Sequence, residues 1–142
     1  MATVQQILNQ KGSTVQSIGP DDSVFDAIKT MAISNIGSLV VLEGEELVGI
    51  FTERHYARNV FLKGRSSPNT TVKEIMSRHV IYATPDQSVE ECMAVMSDKH
   101  VRHLPVLDGN DLVGIISIGD LVNSIIGDQK FVIDQLVRYI SS

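Results

Sequence analysis

One stretch of this chain is written twice. Shifting the 142-residue sequence by 65 positions lays residues 15–57 onto 80–122 without a gap. Identities run through the whole overlap: Val15/Val80, Pro20/Pro85, Asp21/Asp86, Ser23/Ser88, Val24/Val89, Met31/Met96, Leu39/Leu104, Val41/Val106, Leu42/Leu107 and Gly44/Gly109. The run Leu47-Val48-Gly49-Ile50 returns intact as Leu112-Val113-Gly114-Ile115. Chance does not give this, so one unit of about 60 residues is used in tandem, and any architecture inferred for one copy must hold for the other. Residues 1–14, 58–79 and 123–142 read as lying outside the repeat.

Each copy predicts the order β-α-β-β-α, an α+β fold. A short strand leads into Pro20-Asp21-Asp22-Ser23 or Pro85-Asp86-Gln87-Ser88, where the serine is a good helix N-cap. Behind it Val24, Ala27, Ile28 and Met31 fall at helical spacing, as do Val89, Cys92, Met93 and Met96. Apolar runs at 39–42 and 47–51 flank Glu43-Gly44-Glu45-Glu46, and runs at 104–107 and 112–116 flank Asp108-Gly109-Asn110-Asp111; both read as hairpins. The second hairpin strand runs into a helix capped by Thr52 or Ser117. Two further helices are expected near 3–10 and 129–141.

Composition narrows the function. The net charge is −5, which argues against non-specific nucleic-acid binding, since that runs on excess Lys and Arg. No apolar run approaches the ~18 residues of a membrane span. The first residues, MATVQQILNQKG, carry neither a basic region nor an apolar stretch of the secretory kind. The lone Cys92 has no internal partner for a disulfide. Together these features suggest the cytoplasm. The total charge hides a pattern: each copy nets −5, while 58–79 carries Arg58, Lys63, Arg65, Lys73 and Arg78 against Glu74, a net +4. That segment is either a solvated connector or a cationic strip beside an anionic ligand.

Catalytic signatures are missing. There is no Gly-x-Gly-x-x-Gly fingerprint. Lys63-Gly64-Arg65-Ser66-Ser67 lacks the upstream glycine and the lysine of a phosphate-binding loop. His55, His79, His100 and His103 have no metal-ligand spacing with one another or with Cys92, which reads as a core residue. No nucleophile is placed against a base, so the chain is not read as an enzyme. The strand-to-helix junctions are more telling. Residues 114–120 read Gly-Ile-Ile-Ser-Ile-Gly-Asp, and 49–55 read Gly-Ile-Phe-Thr-Glu-Arg-His. A hydroxyl at a helix start, beside free N–H groups and the positive end of the helix dipole, suits a phosphate. A carboxylate one turn later can accept from both hydroxyls of a ribose. Recurrence of the hydroxyl in a duplicated unit favours a ribose-phosphate ligand over plain capping.

Taken together, Pro-Asp-x-Ser-Val before the first helix, Leu104-Pro105-Val106-Leu107-Asp108 in the hairpin and Gly114-Ile115-Ile116-Ser117-x-x-Asp120 resemble a tandem pair of CBS domains, named for cystathionine β-synthase. The likeness spans roughly 10–127. It is greatest to short stand-alone bacterial pairs, through Glu53-Arg54-His55-Tyr56-Ala57-Arg58 and the run Leu62 to Ser67. It implies CBS domains at 10–64 and 73–127, a C-terminal helix at 128–142, and pseudo-two-fold packing of the copies with two clefts between them. In the family those clefts bind adenosyl ligands such as AMP, ADP, ATP, S-adenosylmethionine or NAD(H), and binding regulates something else. By position, Ser117 and Asp120 would hold phosphate or ribose. Val80, Ile81 and Ala83 would line the adenine slot with Leu104 and Pro105 nearby, and Arg102 and His103 could face phosphates. In the other cleft Thr52 matches, but His55 stands where the ribose-binding aspartate is expected. Arg54, Arg58, Lys63 and Arg65 would then meet a longer phosphate chain. The resemblance implies an adenine-nucleotide-binding regulatory module that dimerises and acts on a separate protein, and the apolar stripe of 131–140, with Val132, Leu136 and Ile140, reads as the surface for a second copy. The alternatives are a structural dimerisation module with degenerate sites, or the regulatory subunit of a separately encoded enzyme.

Overall fold

The computed structural model describes residues 2–141. The chain forms a mixed α+β fold that divides into two compact units, one of residues 2–14, 82–108 and 113–141, the other of 15–81 and 109–112. We call them unit 1 and unit 2.

In unit 2, β1 (Ser17–Ile18) pairs parallel with β2 (Ser38–Glu43), and β2 pairs antiparallel with β3 (Glu46–Thr52). Gly44 opens the β2–β3 turn at φ 64, a left-handed conformation that glycine adopts without a Cβ clash. Between β1 and β2 runs α2 (Val24–Ser34). It starts because the Ser23 hydroxyl accepts from the Asp26 N–H at 3.0 Å. It stops where Asn35 turns left-handed, φ 54. Its Val24, Ala27 and Met31 are buried with Leu39, Val41 and Phe51 of the sheet. After β3 come α3 (Glu53–Tyr56), a π-helical turn at Ala57–Phe61, and α4 (Val72–Ile75).

Unit 1 repeats the pattern. The Ser88 hydroxyl accepts from the Glu91 N–H at 3.1 Å to start α5 (Val89–Lys99). His100, the counterpart of Asn35, ends that helix at φ 55. Val89, Cys92 and Met96 are buried on the inner face, and burial pushes the Cys92 thiol up to about 11. Strands β4 (His103–Asp108) and β5 (Asp111–Ser117) form a two-stranded sheet, followed by α6 (Ile118–Ser141).

Three expectations need correction. The opening strand of the second copy reduces to a single parallel bridge, Ala83↔Val106. The Ala83 N–H donates to the Pro105 carbonyl and the Leu107 N–H to the Ala83 carbonyl, both at 2.9 Å. The next rung would need an N–H on Pro105, which proline lacks; the first copy has Val40 there and its ladder continues to Ser17↔Val40.

The flanks are also not free of repetition. At a shift of 68, Thr3-Val4-x-x-Ile7-Leu8 falls on Thr71-Val72-x-x-Ile75-Met76. The first segment is α1 (Val4–Lys11) and belongs to unit 1; the second is α4 and belongs to unit 2. Each docks in the same way. Val4 N–H donates to the Gln87 carbonyl and Val89 N–H to that of Ala2, as Val72 does to Asp22 and Val24 to Thr70, at 2.8–3.0 Å. Each copy is thus completed by the segment that precedes the other copy in sequence. With Val60, Val72, Ile75 and Met76 in the core of unit 2, residues 58–79 are not merely a solvated connector.

Lastly, the helix expected at 129–141 is the continuation of the one that starts at Ile118, so a boundary at 128 falls within α6.

Candidate functional site

At the β5–α6 junction of unit 1, Ser117 and Asp120 close a reciprocal capping box. The Asp120 N–H donates to Ser117 Oγ at 3.1 Å, and the Ser117 N–H donates to Asp120 Oδ2 at 2.9 Å. The same Oδ2 receives Lys11 Nζ at 2.7 Å, and Nζ also donates to the Ile115 carbonyl at 2.9 Å. Lys11 is the last residue of α1, so this bond ties the helix end to the junction. Burial opposes ionisation of Asp120, but the Lys11 ammonium and the Ser117 N–H outweigh it and hold the carboxyl below its ordinary range. Asp120 is therefore an anion at neutral pH, with Oδ2 committed to the protein.

The Ile118 N–H donates to the Arg102 carbonyl at 2.9 Å, which brings Arg102 and His103 to the same junction. His103 is pushed below its usual pKa by burial and by Lys11 and Arg102, against an opposing pull from Asp120; it is neutral at pH 7. Leu104 and Pro105 are buried in β4, and Ala83 is held against that strand. Unit 1 thus gathers Ala83, Arg102, His103, Leu104, Pro105, Ser117 and Asp120. Val80 and Ile81 lie in unit 2, outside regular secondary structure and half-buried.

The β3–α3 junction of unit 2 has the same wiring with a different group. The His55 N–H donates to Thr52 Oγ1 at 3.2 Å, and the Thr52 N–H donates to His55 Nδ1 at 3.1 Å. The Glu53 N–H donates to the Gly37 carbonyl at 3.1 Å, as Ile118 does to Arg102. Because Nδ1 accepts, the neutral ring carries its proton on Nε2. Burial, then Arg54, pushes the His55 pKa down. Where unit 1 offers a carboxylate, unit 2 offers an N–H donor. Arg54, Arg58 and Lys63 are exposed. Arg65 meets Glu74 at 3.1 Å, and Glu74 is itself fixed by the Thr71 N–H at 2.7 Å.

Lys11 has no place in a reading based on the 65-residue repeat. The weaker repeat at a shift of 68 marks residues 3–8 as part of a unit but stops short of Lys11. Among the described residues, no group of three His, Cys, Asp or Glu side chains could hold a metal ion. No described helix is long and apolar enough to cross a membrane.

A hydroxyl-and-carboxylate junction on a duplicated β-α-β-β-α unit defines a class, and comparison with known proteins agrees. The family model of the CBS domain matches residues 12–61 and 72–127. The chain belongs to the CBS-domain family and is built as a tandem pair. It is similar to a protein with CBS domains from Burkholderia ambifaria MC40-6, with a TM-score of 0.87 and 53% identity over 90% of this chain and 96% of that one. Among curated proteins it is 35% identical to the mitochondrial CBS domain-containing protein CBSX3 of Arabidopsis thaliana, over 97% of this chain and 71% of the relative. A third likeness is to the CBS domain pair of protein MJ0100, solved in complex with 5′-methylthioadenosine and S-adenosyl-L-methionine. Its TM-score is 0.76, with 27% identity over 90% of this chain and 98% of that one. CBS pairs of this kind are regulatory or signal-transduction proteins.

Proposed function

We propose that this protein is an adenine-nucleotide sensor, in which AMP, ADP, ATP or NAD(H) binds at the β5–α6 junction and biases the state of a second protein. The observation that carries the reading is the Ser117–Asp120 pair: an ionised carboxylate with Oδ2 committed to the protein and, among the described residues, no hydrogen bond to Oδ1, one turn into a 24-residue helix. Oδ1 accepts from the ribose hydroxyls, while Ser117, Arg102 and the helix start favour the phosphate. By sequence position the base is assigned to Ala83, Leu104 and Pro105, all three buried in unit 1. The adenosyl ligands in the MJ0100 domain pair support the ligand class. Regulation follows if the ligand prefers one of two states, since it can shift them only by its differential affinity.

The Thr52–His55 junction is proposed as a weaker or differently used site, with Arg54, Arg58, Lys63 and Arg65 toward a longer phosphate chain. The working form is proposed to be a homodimer. A reducing compartment such as the cytoplasm suits the buried, unpaired Cys92.

The test is calorimetry with AMP and 2′,3′-dideoxy-AMP. A carboxylate–hydroxyl bond contributes ~1.5–3 kcal/mol. Asp120→Ala should therefore weaken AMP about 10- to 100-fold and leave dideoxy-AMP nearly unchanged. Unaltered AMP affinity in that variant would remove the ribose from Asp120.

A further inference from the structure

Four ionisable groups meet at the unit 1 junction: Lys11 from the end of α1, Arg102 and His103 at the start of β4, and Asp120 in the first turn of α6. His103 is neutral there, so the local charge is two cations against one carboxylate. Remove Lys11 and the sum falls to zero, with an ionised Asp120 facing any phosphate. A mononucleotide brings about two negative charges, since the second phosphate ionisation lies near pH 6. The copy that carries this junction nets −5 over 80–122, Arg102 included, so Lys11 is a cation brought to it from outside the copy. Lys11 offsets the carboxylate by contact, at 2.7 Å, with the two side chains 33% and 22% exposed. Its second bond, to the Ile115 carbonyl, fixes the ammonium at the junction rather than in solvent. The bond is to Oδ2 and does not occupy Oδ1.

We propose that Lys11 sets the charge preference of this site, making it accept anionic adenine nucleotides over uncharged or cationic adenosyl compounds. The proposal rests on the nucleotide reading above and adds a specificity residue to it. A bare Asp120 would still accept from a ribose and would favour a neutral thioether or a sulfonium at the 5′ position. With its ammonium partner the same carboxylate tolerates a phosphate.

The experiment measures the affinity of AMP and of 5′-methylthioadenosine for the wild type, Lys11→Gln and Lys11→Arg, with circular dichroism of each protein. Glutamine keeps a donor for Asp120 and Ile115 but no charge; arginine keeps the charge. Lys11→Gln should weaken AMP about five- to tenfold and methylthioadenosine less than about twofold, while Lys11→Arg stays near wild type for both. The AMP advantage of the wild type should also shrink as salt is added. Equal losses for the two ligands would make Lys11 a structural strut, and unchanged AMP affinity would remove it from the site; either overturns the proposal while leaving the nucleotide reading intact. A wild type that binds neither compound overturns the nucleotide reading itself, and the role of Lys11 with it.

Discussion

Position 120 carries a carboxylate and its counterpart, position 55, an imidazole, yet both close the same turn by accepting the backbone N–H three residues earlier. The equivalence is structural and ends there. Asp120 has a second oxygen to offer, whereas His55 spends its only acceptor on Thr52 and has only an N–H left. This also gives His55 a defined effect on stability. Protonating Nδ1 would break the bond from Thr52, and burial with Arg54 nearby already disfavours the cation. The folded chain thus binds that proton less readily than the unfolded chain, whose histidine titrates near 6.5. Where the unfolded state binds more protons, stability rises with pH. The contribution is complete above about pH 6.5 and is lost as pH falls toward the depressed folded value. His103 acts in the same direction. Thermal unfolding followed between about pH 7.5 and about pH 5.5 should show the wild type losing stability and His55→Asn losing less, because asparagine can still cap Thr52 and has no proton to take up. Parallel loss in both proteins would assign the pH dependence to other groups.

Among the elements, the segments α1 and α4 were the least legible in the sequence. The duplication, the serine caps of α2 and α5 and both hairpins follow from local patterns at a shift of 65. The two short helices sit at a shift of 68, because the chain before the second copy is three residues out of step. Each joins the unit formed by the copy farther from it in sequence. The bond from Lys11 to Asp120 spans 109 residues, beyond any periodicity or capping rule, so that part of the site could not be read in advance. Pro105 stopped a strand whose apolar residues alone predicted it. Why these two helices dock where they do is visible at Gly49 and Gly114. A Cβ on Gly114 would lie 2.6 Å from Leu8 Cδ2, and one on Gly49 2.6 Å from Met76 Sδ and 2.9 Å from the Ser77 carbonyl. Each β-strand is bare there so that a docking helix can close on it. The two positions differ in what can yield. Leu8 can change rotamer, whereas Ser77 is pinned by two bonds to Ile50, at 2.9 and 3.0 Å. Gly49→Ala should therefore destabilise the protein by ~1–3 kcal/mol, and Gly114→Ala by less, as read from denaturant midpoints. The reverse order would mean that the unit 1 interface is the more rigid one.

At the scale of the whole molecule, most of α6 is exposed. Leu121 is its one buried residue among those described, and every described residue from Ile126 onward is exposed. Nine large apolar side chains between Val122 and Ile140 stand more than two-fifths exposed. Ile126, Ile133, Leu136, Val137 and Ile140 recur at spacings of three, four and seven, which puts them on one stripe. Exposed apolar side chains gathered on one stripe mark an interaction surface. An isolated helix of this length gains little from propensity alone and takes its stability from packing. A second copy of the same stripe is the partner that its composition fits, since self-association needs only that each helix be apolar where the other is. We therefore expect a homodimer of about 31 kDa, twice the 15.6 kDa chain, in sedimentation at micromolar concentration. The double variant Leu136→Asp/Ile140→Asp should sediment as a monomer. Its units should keep most of their stability, because those side chains are 55% and 79% exposed and touch no core. Leu121→Ala should do the opposite, costing about 2–5 kcal/mol as a core truncation while leaving the stripe in place. If the wild type is a monomer, or if the aspartates leave a dimer intact, the stripe is not the dimer interface.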